Sequence, residues 1–208
     1  MDITALRAKT SQQVLDAVAG FAPRYVADWR QWLTASAAHR PAVFVKTLGK
    51  WQATRPRPLR RLRVHGDQHA GPYIEDLLEE AAPHLRKLES VAVGRTKALS
   101  QDHQAALEGV WHTFEKLCQD GTASCVAITK AVLLLSNGRI GPALDSRVRK
   151  ELGLGHVETA SQWADTLDAV SADIQAFEEK GVSLADAVPQ EHRGLELGRL
   201  YDMALGPR

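Results

Sequence analysis

The chain has 208 residues, with 26 Lys or Arg against 25 Asp or Glu and a formal net charge of +1, and this length predicts one helical domain over residues 1–208. Its two cysteines are too few for a disulfide framework or a four-thiolate metal site. Because no apolar run approaches the roughly 20 residues of a membrane helix and no secretory leader is recognisable, we expect a cytoplasmic protein with free thiols and no membrane contact.

Positive charge is concentrated in the first third of the chain. Residues 1–71 contain 12 Lys or Arg and 4 Asp or Glu, whereas residues 72–208 contain 14 and 21. A basic segment favours an anionic partner such as DNA, and the acidic tail at 155–208 favours a protein partner. The two parts could instead attract each other within one fold, and the sequence leaves these alternatives open.

Apolar residues in the first 50 positions recur with helical spacing and predict three short helices. The first begins at Ser11 as its N-cap, and the second begins at Pro23, a residue suited to the first turn of a helix. The third begins at Pro41 and ends at Gly49. Within it, Val43–Val45 could also form a brief strand.

Residues 52–72 interrupt this pattern with prolines and glycines, so we expect a loop there. Five arginines occur within nine residues of this loop: Arg55, Arg57, Arg60, Arg61 and Arg63. They could follow the phosphates of a nucleic acid, or they could pair with acidic side chains elsewhere in the protein.

The same loop contains three potential metal ligands, His65, Asp67 and His69. A structural zinc site needs four ligands in fixed geometry, and an isolated loop supplies neither. A polar turn is the better interpretation, and the sequence predicts no metal and no cofactor.

From residue 73 onward the pattern is helical, and residues 73–154 are expected to form the core. One stripe covers 73–88, and a second covers 107–118. Residues 126–135 are apolar almost all round, apart from Lys130, which predicts a helix packed between other helices at the centre of the fold.

After this apolar run, residues 136–142 are rich in residues that stop a helix, and Asp145 opens a new amphipathic segment. In the acidic tail, Ser161 can cap a long helix and a final helix follows Pro189. The fold class predicted from these segments is all-α, with eight to ten helices.

The segment Pro142–Leu154 resembles a segment of the helix-hairpin-helix DNA glycosylases. There a Pro and an apolar residue precede Asp-Thr-His-Val, a basic residue follows, and a Leu-Gly pair often comes next. The matching residues in this chain are Asp145, Ser146, Val148, Lys150, Leu152 and Gly153. The resemblance implies an orthogonal multi-helix bundle that acts on DNA.

In that family the aspartate is the catalytic carboxylate, held at a helix start and facing an extruded nucleoside. The resemblance therefore implies a catalytic role for Asp145. Upstream, Lys130-Ala131 is similar to the Lys and Ala that open the helix after the hairpin, and in the bifunctional branch this lysine is the Schiff-base nucleophile. Lys130 is accordingly the second candidate catalytic residue.

The chain departs from the family at three points. Residues 127–129 are Ala-Ile-Thr where the family has its phosphate-gripping Gly-x-Gly hairpin, Lys130 and Asp145 are closer in sequence than the family's pair, and a cluster-binding cysteine set is absent. The same arrangement is also similar to a group of bacterial helical proteins without an assigned activity.

Each candidate residue also has a purely structural interpretation. Asp145 could be only an N-cap, which stabilises a helix by roughly 1 kcal/mol. Lys130 could extend its amine to the surface, or could form an ion pair with Asp145 that ties two helices together. Arg139, Arg147 and Lys150 are further candidate phosphate contacts beside the arginines of the loop.

Two hypotheses from different classes follow from the sequence. The first is a nucleic-acid-associated protein built like a helix-hairpin-helix glycosylase, in which Asp145 serves base excision and the arginines bind phosphates. The second is a non-catalytic helical interaction module whose charged ends bind a protein partner or one another. The sequence leaves open whether the protein is an enzyme.

Overall fold

The computed structural model describes residues 1–64, 66, 71–119 and 121–207. Within these residues the chain forms nine α-helices and no β-sheet, which confirms the all-α prediction. The helices are α1 (Ser11–Ala19), α2 (Pro23–Thr34), α3 (Arg40–Lys50), α4 (Ile74–Lys87), α5 (Gln101–Phe114), α6 (Cys125–Leu135), α7 (Ser146–Glu151), α8 (Ala160–Glu178) and α9 (Leu197–Leu205). Two 3₁₀ turns, Glu115–Leu117 and Gln190–His192, complete the described helical structure.

Two helix caps lie slightly upstream of their predicted positions. The N-cap of α1 is Thr10 rather than Ser11, and the N-cap of α8 is Thr159 rather than Ser161. In both cases the threonine hydroxyl accepts a hydrogen bond from the amide three residues later. At α1 the side chain of Gln13 also accepts from the Thr10 amide, which closes a reciprocal capping box.

Val43–Val45 lie inside α3, so the predicted helix is confirmed and the alternative of a brief strand is excluded. One further prediction needs correction. The final helix does not follow Pro189 directly, because the 3₁₀ turn Gln190–His192 intervenes and α9 starts only after its N-cap residue, Glu196.

Helix α6 lies at the centre of the fold, as the sequence predicts. Eight of its eleven residues are buried, and it contacts α3 and α5. Aromatic contacts join the surrounding helices, since the Phe44 and Phe114 rings lie 6.4 Å apart between α3 and α5 and the Trp111 and Trp163 rings lie 6.0 Å apart between α5 and α8. The apolar stripes of these helices therefore face one another around α6.

A buried carboxylate ties the first residues of the chain to the last two helices. Asp173 on α8 accepts hydrogen bonds from the amides of Leu6 and Arg7, at 2.7 and 3.0 Å, and from the Tyr201 hydroxyl at 2.7 Å. Burial raises the pKa of Tyr201, so this hydroxyl stays a donor. Three donors compensate for the removal of the Asp173 charge from water.

The described part of the arginine-rich loop is not helical, as predicted: residues 52–56 form turns, and residues 58–60 are attached to the segment that follows α5. The Arg60 amide donates to the Leu117 carbonyl at 2.9 Å, and the Gln119 amide donates to the Pro58 carbonyl at 3.0 Å. This short antiparallel pairing fixes residues 58–60 against the turn that follows α5.

Helix α9 packs unusually closely against the loop between α6 and α7. All nine of its residues are buried. A Cβ atom added at Gly198 would lie 2.5 Å from the Gly138 carbonyl oxygen and 2.9 Å from the Gly141 nitrogen. A glycine is therefore required at position 198, where the helix touches the backbone of that loop.

This close approach reverses the usual effect of replacing a helical glycine by alanine. We expect Gly198→Ala to lower the free energy of unfolding by roughly 1–3 kcal/mol through overpacking. Gly49→Ala on α3, where an added Cβ meets nothing within 4 Å, should instead raise it by up to about 1 kcal/mol. Urea unfolding of both variants checks the pair, and a stabilised Gly198→Ala would contradict the close packing.

Candidate functional site

Two side chains fix the backbone that leads into Asp145. The Thr129 hydroxyl on α6 donates to the Cys125 carbonyl at 2.7 Å and accepts from the Leu144 amide at 2.9 Å. One residue earlier, the Ala143 amide donates to Asp202 of α9 at 3.1 Å. Asp145 is therefore held from two sides, by the helix before it and by α9.

Asp145 is the N-cap of α7, as the sequence predicts. Its Oδ1 atom accepts from the amides of Arg147 and Val148, at 3.0 and 2.9 Å. The other carboxylate oxygen, Oδ2, accepts no hydrogen bond from the described residues, and the half-buried side chain lines a pocket. The capping interaction therefore uses one oxygen and leaves the other available at the pocket.

Lys130 lines the same pocket and does not extend to the surface. Its Nζ atom donates to the Trp51 carbonyl, at the C-terminus of α3, at 2.8 Å. Burial lowers the pKa of Lys130, and the negative charges of Asp145 and Asp202 partly oppose this shift. Among the described residues Lys130 forms no ion pair within 4 Å, so a direct Lys130–Asp145 contact is not formed.

The floor of the pocket is an ion pair that sequence reasoning missed. Arg199 is only 2% exposed, and its Nη1 atom donates to Asp202 at 2.5 Å. Burial lowers the pKa of Arg199 and raises that of Asp202, and their mutual attraction opposes both shifts. The guanidinium carbon also lies 4.6–5.7 Å from the ring centroids of Phe21, Trp29 and Trp51, within the range of cation–π attraction.

Aromatic side chains form the remaining wall of the pocket. The Phe21 and Tyr25 ring centroids are 5.8 Å apart, and the Tyr25 and Trp51 centroids are 6.0 Å apart. The volume of the pocket is only about 30 Å³. In this conformation the pocket accommodates water or a small ion, and a larger ligand requires the wall to move.

Seven of the eight predicted phosphate contacts fall into two groups. Arg55, Arg57, Arg60 and Arg63 are engaged within the protein: Arg55 donates to the Gln52 side chain, Arg57 and Arg60 donate to backbone carbonyls of the segment after α5, and Arg63 pairs with Asp76. The side chains of Arg61, Arg147 and Lys150 are exposed and form no hydrogen bond or ion pair with the described part of the chain.

Arg139 lies away from Asp145, in a different concavity that α4 borders. It donates to the carbonyls of Ser136 and Glu89. The structure therefore brings together Lys130 and Asp145, and it separates Arg139 from them.

The three candidate metal ligands His65, Asp67 and His69 lie outside the described residues. Among the described residues no group of three or more His, Cys, Asp or Glu side chains could hold a metal ion. Cys118 and Cys125 are both buried and are not joined by a disulfide. No described helix is long and apolar enough to cross a membrane.

The chain matches no protein-family model, and no characterised protein or solved structure is detectably similar to it. The interpretation of the pocket therefore depends on its own geometry and chemistry.

The lowered pKa of Lys130 predicts a pH dependence of stability. Between that lowered value and the ordinary value of 10.5 the unfolded chain binds a proton that the folded chain does not, so the free energy of unfolding rises with pH across this window. Lys130→Met should lose this contribution. Urea unfolding at a series of pH values from 7 to 10.5 gives the free energy of unfolding of the parent minus that of the variant. If this difference falls as pH rises, the prediction is contradicted.

Proposed function

We propose that the protein is a nucleic-acid-associated enzyme of the base-excision type, with a glycosylase-like helical fold, Asp145 as its catalytic carboxylate and Lys130 as its catalytic amine. The observation that supports this function best is the meeting of these two side chains at one pocket with an aromatic wall. The sequence alone singles out both residues, and fifteen positions separate them in the chain.

The electrostatics of the pocket suit a reaction in which positive charge develops. When the bond between a base and its sugar breaks, C1′ of the sugar acquires oxocarbenium character. The free oxygen of Asp145 can stabilise this charge, and the cap holds the carboxylate in place without reorganisation. The N-terminus of α7 also stabilises the negative charge of the aspartate.

Lys130 can take part only as the neutral amine. Burial favours that form by lowering its pKa, and the Trp51 carbonyl orients the nitrogen. Attack of the neutral amine on C1′ forms a carbon–nitrogen bond as the bond to the base breaks, and the departing base takes the electron pair of that bond and one of the two amine protons. The C1′–O4′ bond then breaks, O4′ takes its electron pair and the second amine proton, and the nitrogen lone pair completes an imine between Lys130 and the sugar.

The aromatic wall and the exposed cations supply the rest of the proposed interface. A nucleobase is larger than the space open in this conformation, so binding requires displacement of Tyr25 or Phe21, whose rings could then stack on the base. The exposed side chains of Arg61, Arg147 and Lys150, which have no partner among the described residues, can contact the phosphates of the flanking strand.

Covalent trapping tests the chemistry. We expect borohydride to link the full chain to duplex DNA that carries an abasic site or a damaged base, because it reduces the imine. Lys130→Gln should abolish this product, whereas Lys46→Gln, which changes an exposed lysine on the surface of α3, should not. Asp145→Asn should slow single-turnover base release roughly 100-fold, the scale expected when one electrostatic interaction is removed from a transition state.

Asparagine caps helices as well as aspartate does, so Asp145→Asn should unfold at the same temperature as the parent. If the parent protein neither releases a base nor forms a trapped product with any damaged duplex, the proposed function is wrong. Equal activity of Asp145→Asn and the parent would remove the assigned role of the carboxylate.

Salt dependence tests the proposed nucleic-acid interface. The double variant Arg61→Ala, Arg147→Ala should reduce the slope of log Kd against log salt for duplex DNA by about 2, close to one for each phosphate that is no longer neutralised. Arg95→Ala is the matched control, since Arg95 already pairs with Glu178 at 2.9 Å. Fluorescence anisotropy between low and physiological salt gives the slopes, and unchanged slopes in the double variant would exclude these two residues from the interface.

A further inference from the structure

A second concavity lies between α4, the turn that joins α2 to α3, and the residues that follow α6. Its volume of about 370 Å³ falls within the range of roughly 300–1,000 Å³ that is usual for small-molecule sites. The lining is largely apolar: Leu78, Leu85 and Leu135 are only half-buried here, and the buried side chain of Ile140 lies among them. We refer to this concavity as the α4 groove.

The charged side chains of the α4 groove are predominantly basic. Arg40, Arg86 and Arg139 line it, against one acidic residue, Glu89. The exposed side of an apolar groove in a protein of net charge +1 would ordinarily carry both signs in similar number. The excess of two positive charges therefore gives the groove a preference for an anion.

Two of the three guanidinium groups are held in place by the protein. Arg40 lies 5.1 Å from the centroid of the Trp32 ring, and Arg139 donates from Nε to the Ser136 carbonyl at 3.2 Å and from Nη1 to the Glu89 carbonyl. The Arg86 side chain has no hydrogen bond or ion pair to the described residues. A ligand can therefore approach one free cation and two cations whose positions are already fixed, which reduces the entropic cost of binding.

We infer that the α4 groove is a binding site for a small amphiphilic anion, an aliphatic or aromatic body that carries one carboxylate or similar acid group. The apolar body lies on the leucines and Ile140, and the acid group accepts charge-assisted hydrogen bonds from Arg86 and from the remaining donors of Arg40 and Arg139. This inference is independent of the proposed function, because the groove lacks Lys130 and Asp145.

The same chemistry distinguishes this ligand from a nucleic acid. A phosphate backbone carries one charge per nucleotide and needs a basic surface rather than an apolar floor with cations at its edge. Leu78 and Leu85 both lie on α4 and offer an aliphatic surface that a phosphodiester would leave unused. Arg139 therefore contributes to this groove and not to the proposed DNA interface.

Octanoate provides a direct probe of the full chain. Isothermal titration should give saturable binding of one octanoate per protein, and octan-1-ol and octylamine, which have the same chain length without the negative charge, should bind at least tenfold more weakly. Displacement of the fluorescent anion 8-anilinonaphthalene-1-sulfonate by octanoate should give the same affinity. Equal affinity for the acid and the alcohol would overturn the inference, since no anion preference would remain.

Three variants locate the site. Arg86→Gln should weaken octanoate binding at least threefold by removing the free cation, and Ala82→Leu should weaken it by filling the groove from α4. Arg193→Gln, which changes an exposed arginine outside the groove that has no role in the proposed DNA interface, is the matched control and should bind as the parent does. Unchanged affinity in both groove variants, or capture of an acidic leucine-rich peptide at the groove in place of octanoate, would show that the assignment is wrong.

Discussion

The ion pair between Arg199 and Asp202 is the interaction on which the candidate site depends most. One oxygen of Asp202 neutralises a guanidinium that is 2% exposed, and the other accepts from the Ala143 amide, two residues before Asp145. Removing either partner would leave a buried charge uncompensated, a change that typically costs about 3–5 kcal/mol. The carboxylate that stabilises α9 in the core is thus the same group that positions the turn carrying Asp145.

The parts of the fold that the sequence could predict are those with a local cause. Apolar spacing locates α5, α6 and α8, because one face of each must meet the core. The capping role of Asp145 is also local, since its donor amides lie two and three residues along. The partner of Lys130 could not be predicted in this way, because Trp51 is 79 residues distant and a backbone carbonyl has no sequence signature.

The buried charges of α9 were missed for a related reason. Arg199 and Asp202 are three residues apart, a spacing that on most helices indicates a solvated polar face. Here the helix is buried on every side, so the pair turns inward and is covered by aromatic rings from the first 51 residues. Arg199 and Asp202 are the only charged residues on α9, which is the one sequence feature that favours a buried helix. The helix has only nine residues, too few for its apolar pattern to distinguish a buried helix from a surface helix.

The net charge of the pocket depends on whether Lys130 is protonated. With Lys130 protonated, two cations and two carboxylates balance; with Lys130 neutral, one negative charge is in excess and favours a developing cation. In the proposed reaction the wall would have to move to admit a base. This wall includes connecting segments as well as helix ends, since the Ala22 amide donates to the Pro207 carbonyl at 3.0 Å beside Phe21. Phe21 and Pro207 both lie outside the helices, so their displacement would not by itself require α6 or α7, which position Lys130 and Asp145, to unfold.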